Sequence, residues 1–158
     1  VMGLGNGSAI DADAITRSVV ILRNQLGKGV HEVKYRYTQH GEFGDWGGPP
    51  REARVTVTPG IHRSGGFVQI QWWENGDYTY HYREIGGLEF RFGREESNAS
   101  TQHPVRHFHP PHDMDAHEPS CIDGEQPPER VTRAVIATWW AAVKAGDERL
   151  LNAQDALP

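Results

Sequence analysis

The segment from Phe67 to Phe92 constrains the fold more than any other part of the sequence. Three runs with a period of two are separated by Asn75-Gly76 and by Gly86-Gly87, which is the pattern of a β-meander. A two-residue turn at Asn75-Gly76 would mix apolar and charged side chains on one face. A three-residue turn with Gly76 in the left-handed region shifts the register by one and separates them. Burial therefore favours the second register.

This register predicts one apolar and one polar face for the meander. The apolar face contains Val68, Ile70, Trp72, Tyr78, Tyr80, Tyr82, Leu88, Phe90 and Phe92. The polar face contains Gln69, Gln71, Trp73, Thr79, His81, Arg83, Glu89 and Arg91. Such a polar face is typical of a solvated sheet surface with cross-strand pairs, for example His81 beside Glu89.

Helices are predicted near both ends of the chain. Apolar residues recur at helical spacing from about Asp11 to Leu26, and Ser8 with Asp11 resembles a capping box. A second, wider stripe runs from about Pro128 to Ala145 and ends at Gly146. We expect both helices to pack on the apolar face of the sheet. An exposed edge of the second stripe could serve a homodimer or another partner.

The remaining segments predict two more strands and two irregular connections. Apolar and polar residues alternate over 33–38 and 54–58, as in half-buried strands. The glycine- and proline-rich stretch from His40 to Pro50 is too irregular for a ladder. We interpret the polar stretch from Gly93 to Gln102 as a surface loop, because it has no period.

Composition and charge limit the class of protein. The chain has 158 residues, of which 37% are hydrophobic, and this fits one domain. It has no apolar run of about 20 residues, as a membrane-spanning helix needs, and Val1 to Ser8 lack the pattern of a secretory signal. We therefore expect a soluble, cytoplasmic protein without membrane contact. The formal net charge of -5 disfavours broad electrostatic binding to nucleic acid, so any phosphate contact should be local.

Together these patterns predict a single α+β domain over residues 1–158. An antiparallel meander sheet is packed by an N-terminal and a C-terminal helix, with a His/Pro-rich loop at one edge. The ends, 1–8 and 150–158, are expected to fray.

The residues with the most chemical potential lie between His103 and Cys121. This segment contains five histidines, three carboxylates and the only cysteine of the chain. Four prolines exclude a long helix, so the backbone should be extended or turning. On an extended backbone His107 and His109 point to the same side. Cys121 is expected to be a small buried residue rather than a nucleophile.

The first interpretation of this segment is a metal site. The candidate ligands are His107, His109, His112 and His117, with Asp113, Glu118 or Cys121. They offer the nitrogen, oxygen and sulfur atoms that zinc or a related transition metal accepts. Their spacing matches no structural zinc motif, so this prediction rests on composition.

The second interpretation is acid–base cleavage of RNA, which needs no cofactor. One imidazole would take the proton of the 2′-hydroxyl and another would protonate the leaving oxygen. Arg83, Arg91 or Arg106 would hold the phosphate, and His81 is a further candidate for substrate binding. The third interpretation is a rigid loop whose imidazoles bind backbone groups, in a non-catalytic protein that contacts a protein partner.

The order of these features resembles the TumE-type toxins of prokaryotic toxin–antitoxin modules. The resemblance covers about residues 67–145 and is carried by Tyr80-His81-Tyr82-Arg83, by Phe90-Arg91-Phe92 and by the His- and Pro-rich run before a helix. Arg91-Phe92-Gly93 stands where the family tends to have Arg-Tyr-Asp. The run from Arg106 to His112 replaces the Pro-His-His-x-His pattern of the family.

The resemblance implies a toxin that acts as a ribonuclease and is neutralised by an adjacent DNA-binding antitoxin protein. It implies an antiparallel sheet with an arginine on a strand, followed by a Pro-His motif and a helix. At the matched positions it assigns catalytic roles to Arg91, His107, His109 and His112.

Overall fold

The computed structural model describes residues 5, 7–44 and 47–154. Helix α1 (Ala12–Leu26) precedes the sheet and helix α2 (Pro128–Ala145) follows it. The strands are β1 (Val30–Arg36), β2 (Glu52–Val57), β3 (Gly66–Trp72), β4 (Tyr78–Glu84), β5 (Glu89–Arg94), β6 (Arg106–His109) and β7 (Glu118–Pro119). Short 3-10 helices lie at Gly27–Gly29, Glu96–Ser100 and Glu148–Leu150. In the described residues the seven strands form one antiparallel sheet in chain order, which confirms the predicted α+β meander.

The turn between β3 and β4 has the predicted length. Trp73 N donates to Asp77 O at 2.9 Å, which leaves three residues in the turn, and Gly76 has a φ of +95°. Trp72 then pairs with Tyr78 across the two strands. The apolar and polar faces predicted from the sequence follow from this register.

Both helices cover the apolar face of the sheet. Their core residues include Ile15 of α1 and Trp139 of α2, which are buried with the aromatic side chains of β4 and β5. The buried hydroxyl of Tyr80 lies 3.0 Å from Ser18 Oγ and 2.6 Å from Thr132 Oγ1. It also accepts a hydrogen bond from Trp72 Nε1 at 3.0 Å. One hydroxyl thus connects the sheet to both helices.

The helices begin and end close to the predicted positions, although the capping of α1 differs. Asp11 is the cap, and its Oδ1 accepts from Ala14 N at 3.0 Å. The predicted role of Ser8 in a capping box is wrong, because its Oγ accepts from Asn75 N in the β3–β4 turn. Helix α2 ends at Gly146, whose φ of 62° is the left-handed conformation that glycine adopts without strain.

Two segments interpreted as loops are regular structure. Residues 93–102 continue β5 to Arg94 and then form the 3-10 helix Glu96–Ser100. Asp77, which is fully buried, anchors this segment by accepting from Arg94 Nη1 at 2.7 Å and from Glu96 N at 3.0 Å. The first part of the His/Pro-rich segment is also not a loop, because Arg106–His109 forms β6 beside β5. Its polar sequence lacks the apolar alternation by which the other strands were recognised.

The connection between β1 and β2 runs back along the sheet edge, where Gly44 forms an isolated bridge with Tyr35. Asp45 and Trp46 of this predicted irregular connection lie outside the described residues. Of the ends where fraying was predicted, 1–4, 6 and 155–158 also lie outside them. Gly5 N donates to Asp77 Oδ2 at 2.9 Å, and Leu151 is buried. Among the described helices, none has the length and apolar character needed to cross a membrane.

Candidate functional site

The pairing of β5 with β6 brings the His-rich segment onto the polar face of the sheet. Arg91 pairs with His109, and Gly93 pairs with His107. Because alternate residues of a strand share a face, these positions all lie on the side opposite the helices. Together with the turn after β6 they line a pocket of about 250 Å³, which we call the His pocket. Its lining residues are Thr79, Arg91, Gly93, Glu95, His107, His109, Met114, Asp115 and His117.

Four imidazoles cluster at this pocket. The ring centroids of His107 and His109 are 4.9 Å apart, and both rings lie near His117, at 5.3 and 4.5 Å. His103 stacks on the outer side of His117, with centroids 4.1 Å apart and an interplanar angle of 28°. The side-by-side placement predicted for His107 and His109 on an extended backbone is confirmed.

Backbone carbonyls orient three of these rings. The Nδ1 atom lies 3.1 Å from Val105 O in His107, 2.8 Å from Met114 O in His109, and 3.1 Å from Asp115 O in His117. A carbonyl oxygen can only accept, so each Nδ1 carries a proton and donates it. In the neutral ring the lone pair is then on Nε2, the atom left to accept a proton or bind a ligand.

Burial keeps two of the imidazoles neutral. The residues His107 and His109 are 3% and 5% exposed, and their burial lowers the pKa of each to about 4. The positive charge of Arg91 lowers both pKa values further, because it disfavours a second cation nearby. At pH 7 both rings are therefore in the form that can accept a proton.

Arg91 supplies a cation to the pocket. Among the described residues its side chain has no hydrogen-bond or ion-pair partner, and its Nε is buried. Burial lowers the pKa of this guanidinium, which remains charged at pH 7. The Thr79 hydroxyl, in a residue only 7% exposed, is a second unpaired polar group at the pocket. Unpaired buried donors are costly, and an anion with several acceptor oxygens would satisfy both.

The structure does not bring every predicted residue to this pocket. His112 is exposed in the turn after β6 and does not line it. Arg106 pairs with Arg94 on β5, which places it on the opposite face of the sheet from His107. Its Nε donates to Gly124 O at 2.8 Å, and its guanidinium pairs with Glu125.

His81 and Arg83 lie farther along the polar face, outside the residues that line the pocket. His81 Nε2 is 2.7 Å from Glu89 Oε2, the cross-strand contact expected from the sequence. Arg83 Nε lies 3.3 Å from the same carboxylate oxygen. One glutamate thus contacts two of the side chains that were predicted to bind substrate.

Sequence reasoning missed three residues that line the His pocket or stack on a residue that lines it. His103 was not singled out, Thr79 was assigned only to the polar face, and His117 was considered only as a metal ligand. The turn that returns His117 to β6 is a tertiary feature, and the density of histidines between His103 and His117 was the one available signal.

The described residues do not assemble the predicted metal site. In this part of the chain no three His, Cys, Asp or Glu side chains are placed to hold one ion. His112, one of the four predicted histidine ligands, lies outside the pocket. Burial raises the pKa of the Cys121 thiol to about 11, so it is uncharged at neutral pH, in line with the interpretation of a structural cysteine.

The comparisons with known proteins give one match. A family model described as Toxin TumE matches residues 49–145, more than half of the chain. The matched region runs from just before β2 through α2 and includes every residue that lines the His pocket. Neither the comparison with curated proteins nor that with solved structures found a match. On the strength of the family match, which extends the resemblance noted in the sequence, the chain belongs to the TumE toxin family.

Proposed function

We propose that this toxin-family protein cleaves RNA phosphodiester bonds at the His pocket. One arrangement supports the proposal above all others: the unpaired guanidinium of Arg91 lies beside His107 and His109, two neutral imidazoles with a free Nε2 atom. Cleavage by a neighbouring 2′-hydroxyl needs an anion-binding group next to a proton acceptor and a proton donor. The pocket offers these groups without a cofactor.

In the proposed reaction Arg91 and the Thr79 hydroxyl donate to the non-bridging oxygens of the scissile phosphate. A neutral imidazole takes the proton of the 2′-hydroxyl while O2′ attacks phosphorus. The bond from phosphorus to O5′ breaks, and a second, protonated imidazole gives its proton to O5′. The products are a 2′,3′-cyclic phosphate and a 5′-hydroxyl, and the total number of protons is unchanged.

The second imidazole must be protonated although burial and Arg91 disfavour its charge. A bound phosphate favours this protonation, because its negative charge offsets that of Arg91 and raises the pKa of imidazoles within about 4–6 Å. His117, the less buried ring 4.5 Å from His109, is the third imidazole available for proton transfer. It takes the place of His112, to which the sequence resemblance gave a catalytic role.

Cleavage of a labelled single-stranded RNA by purified, tag-free protein tests the proposal. We expect His107→Ala and Arg91→Gln each to lower kcat/KM by at least about 100-fold, the usual effect of removing an acid–base or charge-stabilising group. His112→Ala is the matched control, because it removes an exposed imidazole outside the pocket. A substrate with 2′-deoxyribose at the scissile position should resist cleavage. Unchanged cleavage by the two pocket variants would overturn the proposal.

Membership of a toxin family implies a possible antitoxin partner. We propose that this partner is encoded adjacent to the toxin and neutralises it.

The predicted homodimer contact stays a prediction. Trp140 on the outer side of α2 is 38% exposed, as expected for the edge of the wide apolar stripe.

A further inference from the structure

The His pocket is one end of a row of side chains that crosses the sheet. The strand pairing places the following residues directly opposite one another on six successive strands: Lys34, Arg54, Gln69, His81, Arg91 and His109. All six lie on the polar face, and both α-helices of the described chain pack on the other face. Neighbouring strands are about 4.8 Å apart, so Arg54 is about 14 Å from Arg91 and about 19 Å from His109.

Arg54, the position next to the far end of the row, belongs to a stacking site. The guanidinium carbon of Arg54 lies 4.7 Å from the ring centroid of Phe43 and 5.4 Å from that of Phe67. All three side chains are half-buried and thus retain solvent contact on the open face. Aromatic rings and arginine planes of this kind are the surfaces on which unpaired nucleobases stack.

Between the two ends the row offers hydrogen-bonding groups. The amide of Gln69 has no protein partner among the described residues, so both its donors and its acceptor can meet a base edge. His81 is the next position, and its Nε2 contacts Glu89. The row therefore carries polar groups along its whole length rather than apolar side chains that need a protein cover.

The charge of this face differs from that of the chain. Three of its carboxylates are paired: Glu32 lies 3.8 Å from Lys34, Glu52 lies 2.7 Å from Arg36, and Glu89 contacts His81 and Arg83. Glu95 and Asp115 line the His pocket at the other end of the row. Arg54 and Arg91 have no carboxylate partner within the described part of the chain. A chain with a net charge of -5 thus keeps two arginines on one row without an ion-pair partner in the described residues, although the nearby charges of Glu89 and Glu95 act on Arg91. Guanidinium groups that form no ion pair suit a strand of phosphates.

We propose that this row is a binding track for single-stranded RNA, with one phosphate at Arg91 and a base of the same strand stacked at Arg54 and Phe67. The Arg91 end rests on the proposed function. The distance from Arg54 to the pocket corresponds to about four to six nucleotides at the stacked spacing of 3.4 Å. A duplex does not fit this site, because its bases are paired and cannot stack on protein side chains.

Binding of 2′-O-methyl RNA tests the track without cleavage, since this RNA lacks the attacking hydroxyl. Fluorescence anisotropy would compare a single-stranded octanucleotide, a dinucleotide and a duplex of the octanucleotide sequence. We expect the octanucleotide to bind best and Arg54→Gln or Phe67→Leu to weaken its binding by about tenfold. Arg130→Gln, on the exposed side of α2, is the matched control for the loss of one charge. Thermal unfolding of each variant confirms that it is folded.

Two results would overturn the track: an octanucleotide that binds no more tightly than the dinucleotide or the duplex, or an Arg54→Gln variant that binds like Arg130→Gln. Kinetics separate this inference from the proposed function. If His107→Ala abolishes cleavage and Arg54→Gln leaves the KM of the octanucleotide unchanged, the proposed RNA cleavage is supported and the binding track is refuted. If no RNA is cleaved but octanucleotide binding depends on Arg54, the track stands and the function fails.

Discussion

The position of His107 depends on the absence of a side chain at residue 93. A Cβ at Gly93 would lie 2.8 Å from His107 Nε2, closer than such atoms approach in proteins. The imidazole of His107 packs over the space that a side chain at residue 93 would fill. The glycine at this position thus shapes the pocket.

We therefore expect Gly93→Ala to displace the imidazole of His107 and lower kcat/KM for RNA by about tenfold or more, since small misplacements of catalytic groups are costly. The matched control is Gly47→Ala, because a Cβ at Gly47 meets nothing within 4 Å among the described residues. Cleavage kinetics and thermal unfolding would be measured for both variants. Wild-type kinetics in folded Gly93→Ala would contradict the proposed role of His107 Nε2.

At the scale of elements, the packing of the two helices on the sheet depends on one buried hydroxyl, that of Tyr80. Tyr80→Phe removes the acceptor for Trp72 Nε1 and the partner of Thr132 Oγ1. We expect a loss of about 1–3 kcal/mol in the free energy of unfolding, because buried polar groups are left unpaired. Tyr78→Phe, also on β4, is the matched control, as its hydroxyl makes no hydrogen bond within the described residues. Equal urea midpoints for the two variants would contradict this account.

The elements that could be predicted are those with a local signal. Helix α2 and the β3–β4 register follow from periodicity, and only one register buries Tyr80 with Trp72. Strand β6 gave no such signal. Its alternating positions hold His107 and His109, so the strand does not show the alternation of apolar core residues and polar surface residues that marks the other strands. The exclusion of His112 and the return of His117 depend on the turn between them, which spacing along the sequence does not determine.

At the scale of the whole molecule, the His pocket affects the stability of the protein as well as the proposed chemistry. Two imidazoles are held neutral inside a protein whose other face is a packed aromatic core. The guanidinium of Arg91, which has no hydrogen-bond partner in the described residues, disfavours the empty pocket, and a bound phosphate would relieve this. Ligand binding and the pH dependence of folding are therefore linked through the same residues.

We expect acid to destabilise the protein through His107 and His109. Burial lowers the pKa of His107 and His109 from the ordinary 6.5 to about 4, so between these pH values the unfolded chain binds more protons than the folded one. The stabilisation is complete above pH 6.5 and is lost as the pH falls towards 4. We expect each of the two groups to remove about 3 kcal/mol from the free energy of unfolding across this window.

Urea unfolding at pH 7 and pH 4.5 measures this loss. A double variant, His107→Gln with His109→Gln, should lose less stability on acidification than the wild type, because glutamine does not titrate. His112→Gln, which changes an exposed imidazole outside the pocket, is the control and should behave like the wild type. The carboxylates shared by all three proteins cancel in the comparison. An equal loss in the double variant and the wild type would show that these two histidines are not held neutral by the fold.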